Sequence, residues 1–364
     1  MNVNDLLRES MKNKPASNRG ARQKTSTPKD VTRMNFNENA YGMSDSVKQA
    51  IVDAALGSYM YQDFYAVDIK EKLAGIYGLT KDHILVGSGS SAVIDMLGEV
   101  FINYGDEVVY CMPSYEAFPD MVSDNGGVRV EVPVDSEYRF DLDAMLAAVT
   151  DKTKMVIVVN PNNPTGTYVN SAQVEAFVRK LPEHVLAVVD EAYYEYVDDS
   201  THYSLIKMLQ EGYDRPLVVL RTFSKIYGLA GLRIGYAVAD PMLIDELMKA
   251  CQAWNVGRNA LLAAEAALDD QAYIQEIKQK NVANRAYVSE ELKRLGCFVV
   301  EPAANFIYFD SHRDAKEVRA KLAEQKIMIG APDAFNRVSV GTETQNRAFI
   351  AAMERVLAEL PVKT

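Results

Sequence analysis

Three polar side chains follow three apolar stretches of the chain, and together they could carry out chemistry between an amine and a carbonyl group. The stretches and the side chains that follow them are residues 155–159 with Asn163, residues 185–189 with Asp190, and residues 217–220 with Lys225. A neutral lysine amine can attack a carbonyl and form a Schiff base. A single lysine is usually a solvated surface group, so the combination of an amide, a carboxylate and an amine is what indicates a site.

The elements that must position these side chains are buried strands. Short continuous apolar runs bounded by turn residues are typical of strands that are buried on both faces of a parallel sheet. Amphipathic helical stretches lie between the runs, so the sequence predicts an α/β fold with a mostly parallel central sheet. Because ligands of open α/β sheets bind at the carboxyl ends of the strands, we expect the three side chains to meet at one edge.

The sequence pattern changes after residue 245, where alternating strands and helices give way to helices and then to a shorter mixed stretch. We therefore predict a large domain over residues 45–245 and a smaller α+β domain formed by residues 31–44 and 246–364. Residues 1–30 carry seven Lys/Arg against three Asp/Glu and show little apolar periodicity. This predicts an N-terminal arm that is either loosely docked or reaches across a subunit interface.

A glycine-rich loop upstream could bind an anion. A predicted strand leads into GSGSS at residues 87–91 and then directly into a helix. Glycines allow close approach to the backbone N–H groups of a helix N-terminus, which bind phosphate. Ser90, Ser91, Ser224 and Arg233 could together hold a monophosphate.

The same loop also matches the dinucleotide pattern G-x-G-x-x-A. That pattern expects an acidic residue at the end of the next strand. The next predicted strand ends at Cys111 and has no acidic residue there. The sequence therefore argues against nicotinamide binding.

Composition and charge exclude several classes of protein. The 364 residues are 48% hydrophobic and 24% charged, which is typical of a globular protein and not of a disordered or fibrous one. The net charge of −11 argues against a general nucleic-acid binder. Three cysteines without metal or disulfide spacing indicate a reducing compartment, and no apolar run is long enough for a membrane span. These features predict a cytoplasmic enzyme with small-molecule substrates, no metal, and no nucleic-acid or membrane partner.

The candidate residues belong to a series of motifs in a fixed order. The motifs are NFNENAYG (35–42), YQD (61–63), GSGSS (87–91), PSY (113–115), NPNNPTG (160–166), DEAY (190–193), TFSKIYGLAGLRIGY (222–236) and RVSVG (337–341). In this order and spacing they resemble the class I/II aminotransferases of fold type I, which depend on pyridoxal phosphate, and within these the histidinol-phosphate aminotransferase family. The resemblance implies the fold type I architecture, a pyridoxal 5'-phosphate cofactor, ping-pong transamination and a homodimer.

The resemblance also implies a role for each matching residue. Lys225 resembles the lysine that bonds the cofactor as a Schiff base and shuttles the proton, and Asp190 the carboxylate that pairs with the pyridine nitrogen. Asn163 and Tyr193 resemble the donors to the ring's phenolic oxygen. The cofactor-binding residues implied in addition are Tyr115 on the ring face, Ser90, Ser91, Thr222, Ser224 and Arg233 at the phosphate, and Tyr61 at the phosphate of the partner's cofactor. The implied substrate-binding residues are Arg337, which clamps a carboxylate, Tyr41, Asn163, Trp254 and Asn255.

Two departures from the family pattern bear on the substrate. Ser91 and Ala92 stand where the family commonly has an Asp-Glu pair, and residues 253–257 read AWNVG where a Pro-aromatic-Asn-x-Asn segment is common. Trp254 either packs the domain junction or shapes a pocket for a bulky side chain. The amino donor therefore stays open between histidinol phosphate, an aromatic amino acid, and another phosphorylated or acidic amine. A decarboxylase of a phosphorylated amino acid that uses the same cofactor is a further alternative.

Overall fold

The computed structural model of the chain describes residues 6–12, 14 and 30–363. Its helices are α1 (Asp45–Ala55), α2 (Val67–Tyr77), α3 (Gly89–Phe101), α4 (Ala117–Asp124), α5 (Leu142–Ala147), α6 (Ser171–Lys180), α7 (Ile206–Gln210), α8 (Pro241–Met248), α9 (Arg258–Asp269), α10 (Gln271–Arg294), α11 (Ala315–Glu324) and α12 (Glu343–Glu359). Its strands are β1 (Thr32–Met34), β2 (Ile84–Gly87), β3 (Glu107–Met112), β4 (Val128–Pro133), β5 (Thr153–Val159), β6 (Leu186–Asp190), β7 (Leu217–Thr222), β8 (Gly235–Ala239), β9 (Phe298–Val299), β10 (Phe306–Asp310), β11 (Ile327–Ile329) and β12 (Asn336–Ser339).

Seven strands form the central sheet, in the order β2-β8-β7-β6-β5-β3-β4. The strands from β7 to β4 pair in parallel, and β8 is antiparallel to both of its neighbours, β2 and β7. Every residue of β6 and β7 is buried, as expected for valine-rich strands that are covered on both faces. The predicted α/β fold with a mostly parallel sheet is confirmed.

A second apolar core surrounds two smaller sheets, which have the orders β12-β10-β9 and β1-β11. It contains Met34 of β1 and buried side chains between Val288 and Val356. Apolar side chains from Ile244 to Ile277 lie in the larger core, although the sequence interpretation placed residues 246–277 in the smaller domain. Val47 of α1 also lies in the larger core, so the chain passes from the second core to the first between β1 and α1.

The described part of the N-terminal arm lies against α4. Ser10 Oγ donates a hydrogen bond to the carbonyl oxygen of Asp124 at 2.8 Å, and Lys14 forms an ion pair with the Asp124 carboxylate. The predicted arm otherwise falls on residues 1–5, 13 and 15–29, which lie outside the described part of the chain.

Two searches of the described residues bear on partners. No helix there is both long enough and apolar enough to pass through a membrane. No group of three or more His, Cys, Asp or Glu side chains in that part of the chain is arranged to hold a metal ion. The three cysteines are free thiols, and Cys111 and Cys297 are buried.

Candidate active site

The carboxyl ends of β5, β6 and β7 meet at one edge of the central sheet. Asp190, the last residue of β6, pairs in register with Val159 of β5 and Leu220 of β7. Two backbone bonds extend this pairing, from Asn160 N–H to the Asp190 carbonyl at 2.8 Å and from Glu191 N–H to the Leu220 carbonyl at 2.9 Å. The loops that follow the three strands therefore leave the sheet side by side, as the sequence predicts.

Lys225 presents its amine at this edge. Its Nζ lies 5.2 Å from the centroid of the Tyr193 ring and donates to the Phe36 carbonyl oxygen at 3.4 Å. The side chain is half-buried, and it forms no ion pair within 4 Å in the part of the chain that the structure describes. The amine is therefore positioned by weak contacts and stays available to a ligand.

Asp190 is a buried carboxylate beside this amine, with only 2% of its surface exposed. Burial raises the pKa of Asp190 to about 6, against the opposing effects of the Ala192 N–H bond and the Lys225 charge. The Ala192 N–H donates to Asp190 Oδ1 at 2.9 Å. A buried carboxylate has lost the stabilisation that water gives its charge. It is therefore suited to pair with a protonated ring nitrogen, whose positive charge would compensate for that loss.

Arg337 brings a positively charged guanidinium to the segment that Lys225 contacts. Its guanidinium donates to Asn163 Oδ1 and, at 2.9 Å, to the Asn35 carbonyl oxygen. Burial lowers the pKa of Arg337, and its Nε is buried without a hydrogen-bond partner. No carboxylate of the described residues pairs with it, so this cation is arranged to receive an anionic ligand.

The two cations are held by consecutive residues of one segment. Arg337 donates to the carbonyl of Asn35, and Lys225 donates to the carbonyl of Phe36. Because consecutive Cα atoms are about 3.8 Å apart, the two side chains are bonded to neighbouring points of one segment.

A cradle for an anion lies at the N-terminus of α3. Gly89 has a φ of +76°, and a Cβ there would lie 2.5 Å from Nη2 of Arg233. A Cβ on Gly235 would collide with the backbone nitrogen of Ser90. Both glycines are therefore needed for Arg233 and β8 to approach the first turn of the helix, where free N–H groups point outward.

Hydroxyl groups from β7 complete this cradle. Thr222 pairs with Gly235 across the sheet, and its Oγ1 accepts the backbone N–H of Ser224 at 3.1 Å. Both side chains are buried, Ser91 is half-buried on α3, and Arg233 is exposed without an ion pair among the described residues. Helix N–H groups, hydroxyls and an unpaired arginine form a donor set suited to a phosphate dianion.

Tyr115 lies next to the loop that carries Asn163. Asn162 Nδ2 donates to the Pro113 carbonyl at 2.9 Å, and Ser114 Oγ donates to Asn162 Oδ1 at the same distance. These bonds tie the PSY segment to the NPNNPTG segment, so Tyr115 belongs to the same edge of the sheet.

Three further predicted site residues, Tyr61, Trp254 and Asn255, lie on or near the Val86 end of the phosphate cradle or on the exposed surface. Tyr61 stacks on Trp254 with their ring centroids 4.6 Å apart, and Tyr61 is 79% exposed. Asn255 Nδ2 donates at 3.1 Å to the Val86 carbonyl, just before the phosphate cradle. Their predicted roles at the substrate and the partner's cofactor stay predictions.

Tyr41 lies against α10. Its hydroxyl accepts the Asn284 side-chain amide at 3.0 Å, and the Lys280 ammonium lies 4.7 Å from its ring centroid. These contacts hold the Tyr41 side chain against α10. Its predicted role in substrate binding stays a prediction.

Sequence reasoning missed a buried charge network behind the strand ends. Arg221 bonds to the carboxylates of Glu191 at 3.0 Å and Glu195 at 2.7 Å, and lies 4.2 Å from the Tyr194 ring centroid. Burial alone would lower the pKa of Arg221, but the carboxylates outweigh it and hold the pKa well above its usual value. The network borders a cavity of about 590 Å³ that Asp190 does not line. The sequence signal that could have revealed this network is the alternation of side chains along a strand, because neighbouring residues point to opposite faces of the sheet.

Comparisons with known proteins give a family match and a set of similar proteins. The sequence model of the family "Aminotransferase class I and II" matches residues 29–353. The chain is 38% identical over 335 residues to the histidinol-phosphate aminotransferase of Moorella thermoacetica, covering 91% of this chain and 86% of that protein. It is also 38% identical over 336 residues to histidinol-phosphate aminotransferase 1 of Cupriavidus pinatubonensis, covering 90% and 88%. A similar solved structure is histidinol-phosphate aminotransferase from Sinorhizobium meliloti in complex with pyridoxal-5'-phosphate, with a TM-score of 0.84, 30% identity, and coverage of 90% of this chain and 91% of that one.

Proposed function

The chain belongs to the class I and II aminotransferase family, and from this premise we propose that it uses pyridoxal 5'-phosphate to move an amino group from a histidinol-phosphate-like amine to a 2-oxo acid such as 2-oxoglutarate. The observation that carries the proposal is the free Lys225 amine beside the buried Asp190 carboxylate, with the unneutralised Arg337 held by the neighbouring peptide group. The relatives are named histidinol-phosphate aminotransferases, which supports a histidinol-phosphate-like amine as the amino donor.

The residues present fit the cofactor. The cradle of α3 N–H groups, hydroxyls and Arg233 suits its phosphate, and Asp190 suits its ring nitrogen. When bound, pyridoxal phosphate supplies a carbonyl carbon that takes up the amino group and a ring that accepts electrons as the substrate Cα–H bond breaks.

Lys225 and Asp190 handle the protons of the reaction. The Lys225 amine would take the proton from the substrate Cα onto its Nζ and would return it to the carbon atom that receives the amino group, because this amine lies at the edge of the sheet without an ion-pair partner among the described residues. The Asp190 carboxylate keeps a proton on the ring nitrogen, because a buried anion favours a cation beside it. Both roles need side chains that are not already neutralised by other partners.

Arg337 is proposed to serve both half-reactions. A phosphorylated amine and a 2-oxo acid have in common an anionic group at one end, and a guanidinium binds phosphate and carboxylate alike. One unneutralised cation can therefore orient the donor and, after its product leaves, the acceptor. This alternation of two substrates in one site is the basis for ping-pong kinetics.

An amine panel without any oxo acid tests the function. Purified protein loaded with pyridoxal phosphate would receive histidinol phosphate, phenylalanine, tyrosine, glutamate, aspartate or phosphothreonine singly, while the visible spectrum is recorded. We expect histidinol phosphate to convert the bound cofactor to its aminated form in a single turnover. The matched control is the Lys225→Ala protein, which should not convert.

The alternatives give different outcomes in the same experiment. Conversion by phenylalanine or tyrosine and not by histidinol phosphate would assign an aromatic donor. Carbon dioxide release from phosphothreonine without conversion of the cofactor would assign a decarboxylase. Failure of the wild-type protein to bind pyridoxal phosphate would defeat the proposal.

We also propose that the working unit is a homodimer. Seven of the 17 most exposed large apolar side chains in the described residues fall within residues 52–65, and Trp254 adjoins them through Tyr61. Concentrated apolar exposure of this kind marks an interaction surface. The resemblance assigns Tyr61 to the partner's cofactor phosphate, and its position on this surface, stacked on Trp254, supports that role.

Subunit complementation tests the crossing of Tyr61. We expect Tyr61→Ala and Lys225→Ala homodimers to be weakly active or inactive, and a mixed dimer to recover part of the activity, because one of its sites combines an intact Lys225 with the partner's intact Tyr61. Tyr59→Ala is the matched control, since Tyr59 is 84% exposed on the same surface. No recovery in mixed dimers, verified by tagged co-purification, would show that Tyr61 does not act across the interface.

A further inference from the structure

The NFNEN segment contacts more of the candidate site than the motif comparison assigns. Beyond the carbonyls of Asn35 and Phe36, its Asn37 side chain donates from Nδ2 to the Tyr193 hydroxyl oxygen at 3.1 Å. We propose that Asn37 is a positioning residue that directs the Tyr193 hydroxyl hydrogen toward the cofactor, and that Ser339 locks Asn37 in the orientation this requires. The inference rests on the proposed function for the identity of the group that receives the hydrogen.

Ser339 contacts both the backbone and the side chain of Asn37. Ser339 Oγ accepts the backbone N–H of Asn37 at 2.8 Å and lies 3.1 Å from Asn37 Oδ1. In the structure Ser339 donates its single hydrogen to Oδ1. The amide nitrogen of the same side chain then faces the Tyr193 hydroxyl.

The backbone of the segment holds this arrangement in place. Asn37 has a φ of 55°, a left-handed conformation that asparagine tolerates better than most residues. Its carbonyl accepts the Asn305 side-chain amide at 3.0 Å, and its side chain is buried. Turning the amide over would place its oxygen against the Tyr193 hydroxyl, which would then donate its hydrogen to that oxygen, and Ser339 would lose its acceptor on Asn37.

The bond from Asn37 determines which way the hydrogen of the Tyr193 hydroxyl points. Because its oxygen accepts from Asn37, its own hydrogen is free for a second partner. In the proposed function this partner is the phenolic oxygen of the cofactor. Donation to that oxygen stabilises its deprotonated form, which lowers the pH at which the visible band of the bound cofactor changes.

The position of Ser339 links this direction to the substrate cation. Ser339 and Arg337 are two residues apart on β12, so their side chains leave the strand on the same face. One strand of the second core therefore presents the cation that would bind substrate and the hydroxyl that orients the Asn37 amide.

Two substitutions at Asn37 distinguish this role from simple packing. Asn37→Asp has the same shape but replaces the donor with an acceptor, which takes the Tyr193 hydrogen away from the cofactor. Asn37→Gly suits the left-handed backbone, removes the whole side chain, and leaves the Tyr193 hydrogen free. We expect Asn37→Asp to raise the midpoint of the cofactor's absorbance titration by about one pH unit, and Asn37→Gly to move it much less.

The measurement is a spectrophotometric pH titration of the protein loaded with pyridoxal phosphate. Dialysis of each variant measures how much cofactor it retains. Asn37→Asp is also measured in a Tyr193→Phe background, where only the added negative charge can act, so the shift should shrink. Ser339→Ala is expected to give a smaller rise of the same sign, because the Asn37 amide is then free to turn. Melting curves identify any variant that has lost its fold, and Ser339→Ala supplies the test if Asn37→Asp is such a variant.

The outcomes separate this inference from the proposed function. A wild-type protein that does not bind the cofactor defeats both. A wild-type protein that binds and titrates, with equal shifts for Asn37→Asp and Asn37→Gly, leaves the proposed function intact and overturns the role of Asn37. An undiminished shift in the Tyr193→Phe background also overturns it, because the effect would then not pass through Tyr193.

Discussion

Replacement of Lys225 by alanine is expected to reduce transamination by at least about 10³-fold while the chain stays folded. General acid–base groups in enzymes typically contribute about 10²- to 10⁴-fold, and Lys225 is proposed to act in addition as the amine that bonds the cofactor. The structural cost is expected to be small, because the amine makes one long hydrogen bond to Phe36 and one contact with the Tyr193 ring. The measurement pairs single-turnover kinetics with a thermal melt.

Lys280→Ala is the matched control for this change. Lys280 also combines an ammonium with a tyrosine ring, Tyr41, at 4.7 Å, and it forms an ion pair with Glu276 on the same helix. Its loss removes one positive charge and one ring contact outside the strand-end site. If Lys225→Ala kept more than about a tenth of wild-type turnover, or if Lys280→Ala lost as much, the catalytic role of Lys225 would be wrong.

The sequence predicted the strand-end geometry because that geometry is local. Continuous apolar runs ended at residues 159, 189 and 220, and in the structure β5, β6 and β7 end within two residues of those positions. Parallel pairing then requires the following loops to share an edge. The resemblance to class I and II aminotransferases, drawn from the motifs on these loops, is confirmed by the family match.

Contacts between distant segments were not predictable in the same way. Arg337 meets Asn163, which lies 174 positions earlier, and Asn37 meets Ser339 across 302 positions. No periodicity encodes such pairs, because they depend on how the second core sits against the first. The motifs contained all four residues, but only the folded chain shows which of them bond to each other.

The packing of residues 246–277 was obscured for a related reason. This stretch is helical, and helical periodicity shows that one face is buried without showing which core buries it. In the structure Ala260, Ala264 and Leu268 of α9 lie in the larger core. The exposure of the apolar side chains around Tyr61 was not visible in the residue pattern either, since an exposed tyrosine and a buried one have the same sequence signature.

Asp190→Asn is expected to stabilise the cofactor-free protein at neutral pH and to impair catalysis severely. Burial raises the Asp190 pKa from 3.8 to about 6, so the folded chain binds this proton more tightly than the unfolded chain does. Stability then falls as the pH rises from about 4 to about 6, and above that range the ionised carboxylate costs up to about 3 kcal/mol. Asparagine is never ionised and still accepts the Ala192 N–H, so it removes this cost.

The same substitution removes the anion that would hold a proton on the cofactor's ring nitrogen. We expect the single-turnover rate of proton transfer to fall by at least about 10²-fold. The unfolding free energies of the two cofactor-free proteins, measured by urea titration, should coincide near pH 4 and diverge between pH 4 and 6. Glu195→Gln is the matched control, because Arg221 then loses the carboxylate that lies 2.7 Å from it and stability should decrease. An Asp190→Asn protein that is less stable than wild type at pH 8 would contradict the electrostatic argument, and one with wild-type proton transfer would contradict the catalytic role, so each half can fail alone.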